Sequence, residues 1–182
     1  MSAPDTAAES WHDNGPLLPV SVLPDPVLSR LTSQVDPADP AVLALARRLV
    51  TLMRASPACV GVAAPQVGVS ARLFVLDVTG HPKAKTQAGL VVLANPFVVA
   101  AEGVKVAREG CLSVPDLTGD VPRARTVTVR GMVPGPQPRE RTVTANAFEA
   151  RAFQHELDHL DGLLFLDRVR DPAGLHARRT YQ

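Results

Sequence analysis

Cysteine is scarce in this chain: Cys59 and Cys111 are the only two among 182 residues. Two thiols make no disulfide framework, and the count suits a reducing compartment. Excess charge is missing too. Nineteen Lys and Arg against eighteen Asp and Glu leave +1 at pH 7, which removes bulk charge as an argument for nucleic-acid or membrane-surface binding. There are no long apolar runs. The longest uncharged stretches, 55–71 and 86–101, are too short for a membrane span and are broken by Pro, Gly, Gln or Asn. The opening Met1-Ser-Ala-Pro-Asp-Thr lacks the basic-then-apolar order of a secretory signal. No internal repeat, phosphate-binding glycine loop or dinucleotide fingerprint occurs, so no nucleotide cofactor is expected. These absences lead to the expectation of a soluble, cytoplasmic protein that binds neither specific nucleic acid nor membrane.

What is present is a chain long enough for one domain, with 46% hydrophobic residues to build its core. Seventeen prolines and twelve glycines point to many turns and extended segments rather than a helical bundle. Residues 1–17 read as a poorly ordered tail, 18–170 as a single catalytic domain, and 171–182 as a C-terminal tail. Trp11 sits in the first tail and either docks on the body or faces solvent; the second reading is preferred. Asp39 and Pro40 look like the cap and first turn of a helix whose apolar stripe is Val42, Leu45, Leu49, Leu52 and Met53. Residues 56–70 are too rich in turn formers for a regular helix. Strands are expected over 72–78, 90–93, 97–101, 126–130, 141–144 and 163–166, with 131–138 joining two of them as a hairpin. A second helix is expected over 145–161, capped by Asn146 and stopped by Gly162. Strands in runs, with a helix near each end, indicate an α+β fold with mostly antiparallel sheets.

The second helix carries His155-Glu156-Leu157-Asp158-His159, an H-E-x-x-H motif. Residues four apart share a helix face, so both imidazoles can reach one metal ion, and Glu156 can stand beside it to take a proton from water. The plainer alternative is a helix with two buried histidines; the helical context favours the metal. A catalytic metal needs a third protein ligand. Downstream lie Asp161, Asp167, Asp171 and His176, none in the extended spacing of a large metalloprotease group. Upstream lies Cys111, in Glu109-Gly-Cys111-Leu-Ser113. A thiolate there would complete a Cys-His-His set with one open position, although a lone cysteine is more often a core residue. Gln154 and Asp158 are candidate partners for the ligands, and Glu109 with Arg123 is a candidate ion pair.

Three motifs in order give the chain a resemblance to the peptide deformylases: Gly61-Val-Ala-Ala64-Pro-Gln66, Glu109-Gly-Cys111-Leu-Ser113, and Gln154-His155-Glu156-Leu-Asp158-His159-Leu160-x-Gly162. Pro24-Asp25-Pro26-Val27-Leu28 and Val121-Pro122-Arg123 also look familial, and the likeness runs from about Val20 to Arg168. The resemblance implies antiparallel sheets packed around a central metal-binding helix. It implies a hydrolase that removes formyl from the formyl-methionine of new polypeptides and releases formate. It assigns Cys111, His155 and His159 as metal ligands, Glu156 as general base and then acid, and the Gln66 amide and Leu112 backbone N–H as donors to the formyl oxygen. Gly61, Val60, Phe148 and Arg151 become substrate contacts, the last three around the methionine side chain. The implied cofactor is one Fe²⁺ per chain, which Zn²⁺, Ni²⁺ or Co²⁺ can replace. The implied partners are N-formyl-methionyl peptides and nascent chains, met at the ribosome by a monomer.

The sequence departs from the family in two places. Cys59 stands where the first motif has its first glycine, and Val62 where Leu is usual. Either that glycine is needed for a positive φ and the loop is re-aimed, or Cys59 simply packs; the second is preferred. A sharper alternative puts Cys59 near the metal site as an oxidisable thiol. Asp120, before Val-Pro-Arg, is the second departure. Competing functions are a divergent relative with altered substrate or inhibitor sensitivity, a metallopeptidase, and a non-catalytic binder of nascent chains.

Overall fold

The computed structural model describes residues 11–178. Its order is α1 (Pro40–Ala55), β1 (Gly61–Ala63), β2 (Leu73–Leu76), β3 (Val91–Glu102), β4 (Lys105–Cys111), β5 (Val114–Arg123), β6 (Thr126–Val133), β7 (Arg139–Asn146), α2 (Ala147–Leu160) and β8 (Leu175–Ala177). The strands form one sheet in the order β1-β2-β3-β6-β7 and a second in the order β4-β5-β8. Every ladder between these strands is antiparallel. The fold is α+β, as the runs of strands indicate.

The five-stranded sheet is covered on both faces through β1, β2 and the first part of β3, and its side-chain alternation shows how. Leu73 and Val75 of β2 join Val62, Val92 and Ala94 in a core against Ala46, Leu49, Val50 and Met53 of α1. Phe74 and Leu76 point the other way, with Ala63, Val91 and Leu93, against Ala150, Phe153, Leu157 and Leu160 of α2. A strand buried on both faces is apolar throughout, hence Leu-Phe-Val-Leu in β2. Phe74 meets Phe153 edge-on with ring centres 5.9 Å apart. A third core of Leu28, Cys111, Val114, Val121, Leu164 and Phe165 packs the smaller sheet. α1 begins where expected: Pro40 opens it and the Asp39 carboxylate accepts the Ala41 N–H at 2.8 Å.

Several segments differ from the sequence expectation. The two short strands around Asn95-Pro96 are one bent strand, β3. Asn95 takes a positive φ of 51° and its amide bonds both the N–H and the carbonyl of Val35, at 2.9 and 2.8 Å, while the pairing with β6 shifts register. Residues 163–166 are not a strand. Phe165–Arg168 is a 3-10 turn, because the Asp167 carboxylate caps the Leu164 N–H at 2.7 Å. β1, β4 and β5 lay outside the expected strands, and Leu175–Ala177 pairs with Leu117–Gly119 within the segment expected as a tail. Trp11 does not face solvent: it is half-buried against the α1 core. Residues 1–10 of the expected N-terminal tail, and 179–182 of the C-terminal one, lie outside the described residues.

The start and stop of α2 position the chemistry. β7 runs to Asn146, so the helix begins two residues later than the sequence suggests. The Asn146 side chain makes no capping bond. At the other end Gly162 has φ 72°, and an added Cβ would lie 2.8 Å from the Arg30 carbonyl carbon. Only glycine can turn the chain there and let it pass that backbone.

Candidate metal centre

α2 delivers His155 and His159 on one face, and β4 delivers Cys111 at its last residue. The ligand atoms of these three side chains lie within 4.8 Å of one another. Cys111 Sγ is 3.2 Å from His159 Nε2. Burial alone would push the Cys111 thiol up, but the charge and hydrogen bonds of His159 and His155 hold it well below its ordinary value. The same interaction, with Glu109, holds the His155 pKa well above its ordinary value against the effect of burial. A thiolate between two imidazoles is a donor set suited to a divalent transition metal.

The ring of His155 is aimed by a buried carboxylate. Its Nδ1 lies 3.0 Å from Glu109 Oε2, leaving Nε2 for the cluster. Glu109 is the hub of a cation network. Arg123 reaches it through Nε and Nη2 at 2.9 and 3.0 Å, and Arg151 through Nη1 at 2.9 Å. His155 and Arg123 outweigh burial and hold the Glu109 pKa at about 2. Arg123 also pairs with Asp158, which Arg168 grips at 2.8 Å. The Glu109–Arg123 pair is therefore present, and Asp158 acts through Arg123. Gln154 does not touch the ligands. Its amide is spent on the N–H and carbonyl of Ala124, at 2.9 and 3.0 Å, pinning the turn between β5 and β6.

Glu156 is fully enclosed, and burial pushes its pKa up to about 7 even though His155 and His159 pull it down. Its Oε2 has no hydrogen-bond partner among the described residues, and neither has His159 Nδ1. Buried polar atoms left this way at a cluster of ligands fit a site that takes a further group. Gly61 makes room for this carboxylate: a Cβ there would lie 2.5 Å from Glu156 Oε1 and 2.9 Å from its Cγ. Gln66 is oriented by the Ala63 N–H, which its Oε1 accepts at 2.9 Å. Its Nε2 then points at Cys111 Sγ (3.3 Å) and Ser113 Oγ (3.4 Å). Leu112 occupies the bend where β4 turns into β5.

The ten residues that the resemblance assigns to metal, catalysis and substrate fall at one place. Glu156, Gln66, Leu112, Cys111, His155, Gly61, Val60, Phe148 and Arg151 line one cavity of about 290 Å³, and His159 stands behind it against Cys111. Arg151 is there in a restricted way. Its guanidinium is consumed by Glu109 and by the carbonyls of Lys105, Ala107 and Val121. His81 stacks on Phe148 at 4.0 Å. Neither His81 nor Arg178, which also lines the cavity, carries a sequence signal; both arrive from loops or ends distant in the chain.

Cys59 lines the cavity too. The positive φ in this loop falls on Ala58, at 57°, not on Cys59, so the missing glycine is not a conformational need. The Cys59 thiol donates to the Gly61 carbonyl at 3.2 Å. Burial first, then the Glu156 and Cys111 charges, push its pKa up to about 12. It is near the cluster, but as a protonated, weakly nucleophilic thiol. Asp120 is held by Arg108 at 3.0 Å and lies 3.1 Å from His176 Nε2.

Comparison with known proteins gives one family throughout. The family model for polypeptide deformylase matches residues 17–174. A peptide deformylase of Halothermothrix orenii is 44% identical over 154 residues, spanning 85% of this chain and 94% of the relative. The solved peptide deformylase of Thermotoga maritima is 32% identical with a TM-score of 0.76, over 86% of this chain and 100% of that one. A class I type b peptide deformylase of Acinetobacter baumannii, solved with Met-Ala-Ser bound, is 31% identical with a TM-score of 0.75, over 85% and 99% of the two chains.

Proposed function

The chain belongs to the polypeptide deformylase family, and from that membership we propose that Cys111, His155 and His159 hold its catalytic metal while Glu156 carries the proton. The activity is hydrolysis: removal of the N-formyl group from nascent polypeptides. The observation that carries the site assignment is a buried thiol held low between two imidazoles, with the unpartnered Oε2 of Glu156 in the same cavity. α2 is then the metal-bearing helix about which the sheets pack. Of the candidate ions, Fe²⁺ is proposed as resident, with Zn²⁺, Ni²⁺ or Co²⁺ able to replace it, since a mixed S/N donor set accepts all four. The ion, when bound, makes water acidic enough to ionise near neutrality and draws electrons from the formyl carbonyl.

The residues supply the rest. Water adds across the formyl C–N bond. Glu156, with its pKa raised to about 7 by burial, takes one proton from the water as the new C–O bond forms. It returns that proton to the amine as the C–N bond breaks. Formate and a free N-terminus result. The Gln66 Nε2–H and the Leu112 N–H are the proposed donors to the formyl oxygen as it gains charge, each worth roughly 3 kcal/mol by analogy with other oxyanion donors. Gln66 is suited to this because its amide is already locked by Ala63. Val60, Phe148 and the aliphatic stem of Arg151 are the proposed walls for the methionine side chain. Gly61 and Gly110 stand on the outer strands β1 and β4, whose edges can bond an extended peptide. The setting proposed is the cytoplasm, with a monomer meeting nascent chains at the ribosome. Among the described residues no helix is long and apolar enough to cross a membrane.

The test is formate release from formyl-Met-Ala-Ser by protein purified without oxygen and loaded with Fe²⁺. Release is expected to fall about 10²–10⁴-fold in Glu156→Ala. Unformylated Met-Ala-Ser should stay intact. No release from metal-replete protein, or release that survives Glu156→Ala, would overturn the assignment.

A further inference from the structure

A cation that the hydrolysis does not use stands on the wall of the cavity. Arg178 follows β8, and its backbone N–H is tied to the Asp116 carbonyl at 2.8 Å. Its Nη1 donates to the Cys111 carbonyl at 3.0 Å. A Cβ built on Gly110 would lie 3.8 Å from Arg178 Cζ, so the guanidinium lies beside Gly110 on β4. The residue is half-buried and lines the cavity. The other arginines of the cavity are already matched by carboxylates: Arg108 by Asp120 at 3.0 Å, and Arg151 by Glu109 at 2.9 Å. Among the described residues Arg178 is bonded through its side chain to a carbonyl alone.

We propose that Arg178 is a specificity-determining residue that reads a carboxylate on the peptide, downstream of its formyl-methionine. The inference rests on the reading of the cavity as a formyl-peptide site. A guanidinium offers five N–H donors in a planar fork that matches a carboxylate, and the Cys111 carbonyl takes one of them. β4 is the outer strand of its sheet, so a peptide can run extended past Gly110, at roughly 3.3 Å per residue. Cys111 gives its carbonyl to Arg178 and its thiol to the ligand cluster. The guanidinium is therefore only a residue or two of extended chain away from the reacting bond. The carboxylate has two sources: an Asp or Glu side chain at the third residue, or the terminal carboxylate of a short peptide.

The experiment uses the metal-loaded full chain and four substrates: formyl-Met-Ala-Ser-amide, formyl-Met-Ala-Asp-amide, formyl-Met-Ala-Ser with a free carboxylate, and formyl-Met-Ala-Lys-amide. KM and kcat are read separately for the wild type, Arg178→Gln and Arg178→Lys. One or both carboxylate-bearing peptides should show a KM about 3–10-fold below that of the neutral amide, with the lysine peptide above it. Which of the two responds identifies the source. The ratio should fall to about one in Arg178→Gln and survive in part in Arg178→Lys. Calorimetric binding of Met-Ala-Asp-amide against Met-Ala-Ser-amide should show the same discrimination without turnover. Equal KM for all four peptides in the wild type overturns the role of Arg178 alone. So does a ratio unchanged by Arg178→Gln, or a loss of kcat common to all four, which would mark Arg178 as a brace for Cys111. Failure of the wild type to release formate from any peptide overturns the reading of the cavity, and this inference with it.

Discussion

A carboxylate that accepts hydrogen bonds from several side chains is hard to protonate; Glu109 is held by His155, Arg123 and Arg151, the first two of which lower its pKa. Its pKa of about 2 lies below the ordinary 4.5, so the folded state holds this proton less readily than the unfolded one. The stability it contributes is therefore complete above about pH 4.5 and lost as the pH falls through 2. In urea titrations at a series of pH values, the gap between wild type and Glu109→Gln should be widest near neutrality. It should narrow below pH 4.5, by on the order of 3 kcal/mol in all. A gap independent of pH would mean that Glu109 is not the group responsible. Gly61 tests the same neighbourhood by shape. In Gly61→Ala the added methyl collides with a carboxylate that is itself enclosed. Glu156 must shift, and a displacement of about 1 Å at the proposed proton carrier costs roughly 10²-fold in rate. We expect kcat to fall at least tenfold with KM little changed, as read from steady-state formate release.

At the scale of elements, the junctions decide more than the elements do. Gly162 combines a positive φ with a backbone neighbour 2.8 Å from any Cβ, whereas Gly80, at φ 76°, has nothing within 4 Å. Gly80→Ala should cost only the left-handed strain, about 1 kcal/mol, a fall in Tm of roughly 2–4 °C. Gly162→Ala should cost more, because α2 must move against Arg30; equal shifts in the two melting curves would refute this. The sequence shows such junctions unevenly. α1 is legible because Asp39, Pro40 and a helical stripe say the same thing, and the H-E-x-x-H face of α2 is legible because its spacing is the chemistry. β4 and β5 are not, because Pro115, Gly119 and Pro122 weaken the strand pattern and the pairing comes from residues distant in the chain. β1 has three residues and no period to read. Glu109 was visible as half of an ion pair, but its hold on His155 and Arg151 was hidden, since neither contact follows from spacing along a helix or strand.

Over the whole molecule, the ligand cluster joins two bodies. His155 and His159 ride on the helix that covers the larger sheet, and Cys111 ends a strand of the smaller one. An ion held by all three, as proposed, would clamp one sheet to the other. Removing it with a chelator should lower Tm, by the equivalent of about 4 kcal/mol where free metal stood at a thousand times its Kd. Cys111→Ser should shrink that shift, and hydrogen exchange should speed up at the β4–β5 pairing before the β2–β3 pairing. A chelated protein melting at the same temperature would show that the clamp carries no load. The cavity also has a consequence in time. Its walls are gathered from residue 57 through residue 178, so a growing chain completes the cavity only with its last described residues. The wall is finished in a single late event, when the last short strand closes on β5, and a cut that frees this strand would release Arg178 from the cavity without touching one of the proposed metal ligands.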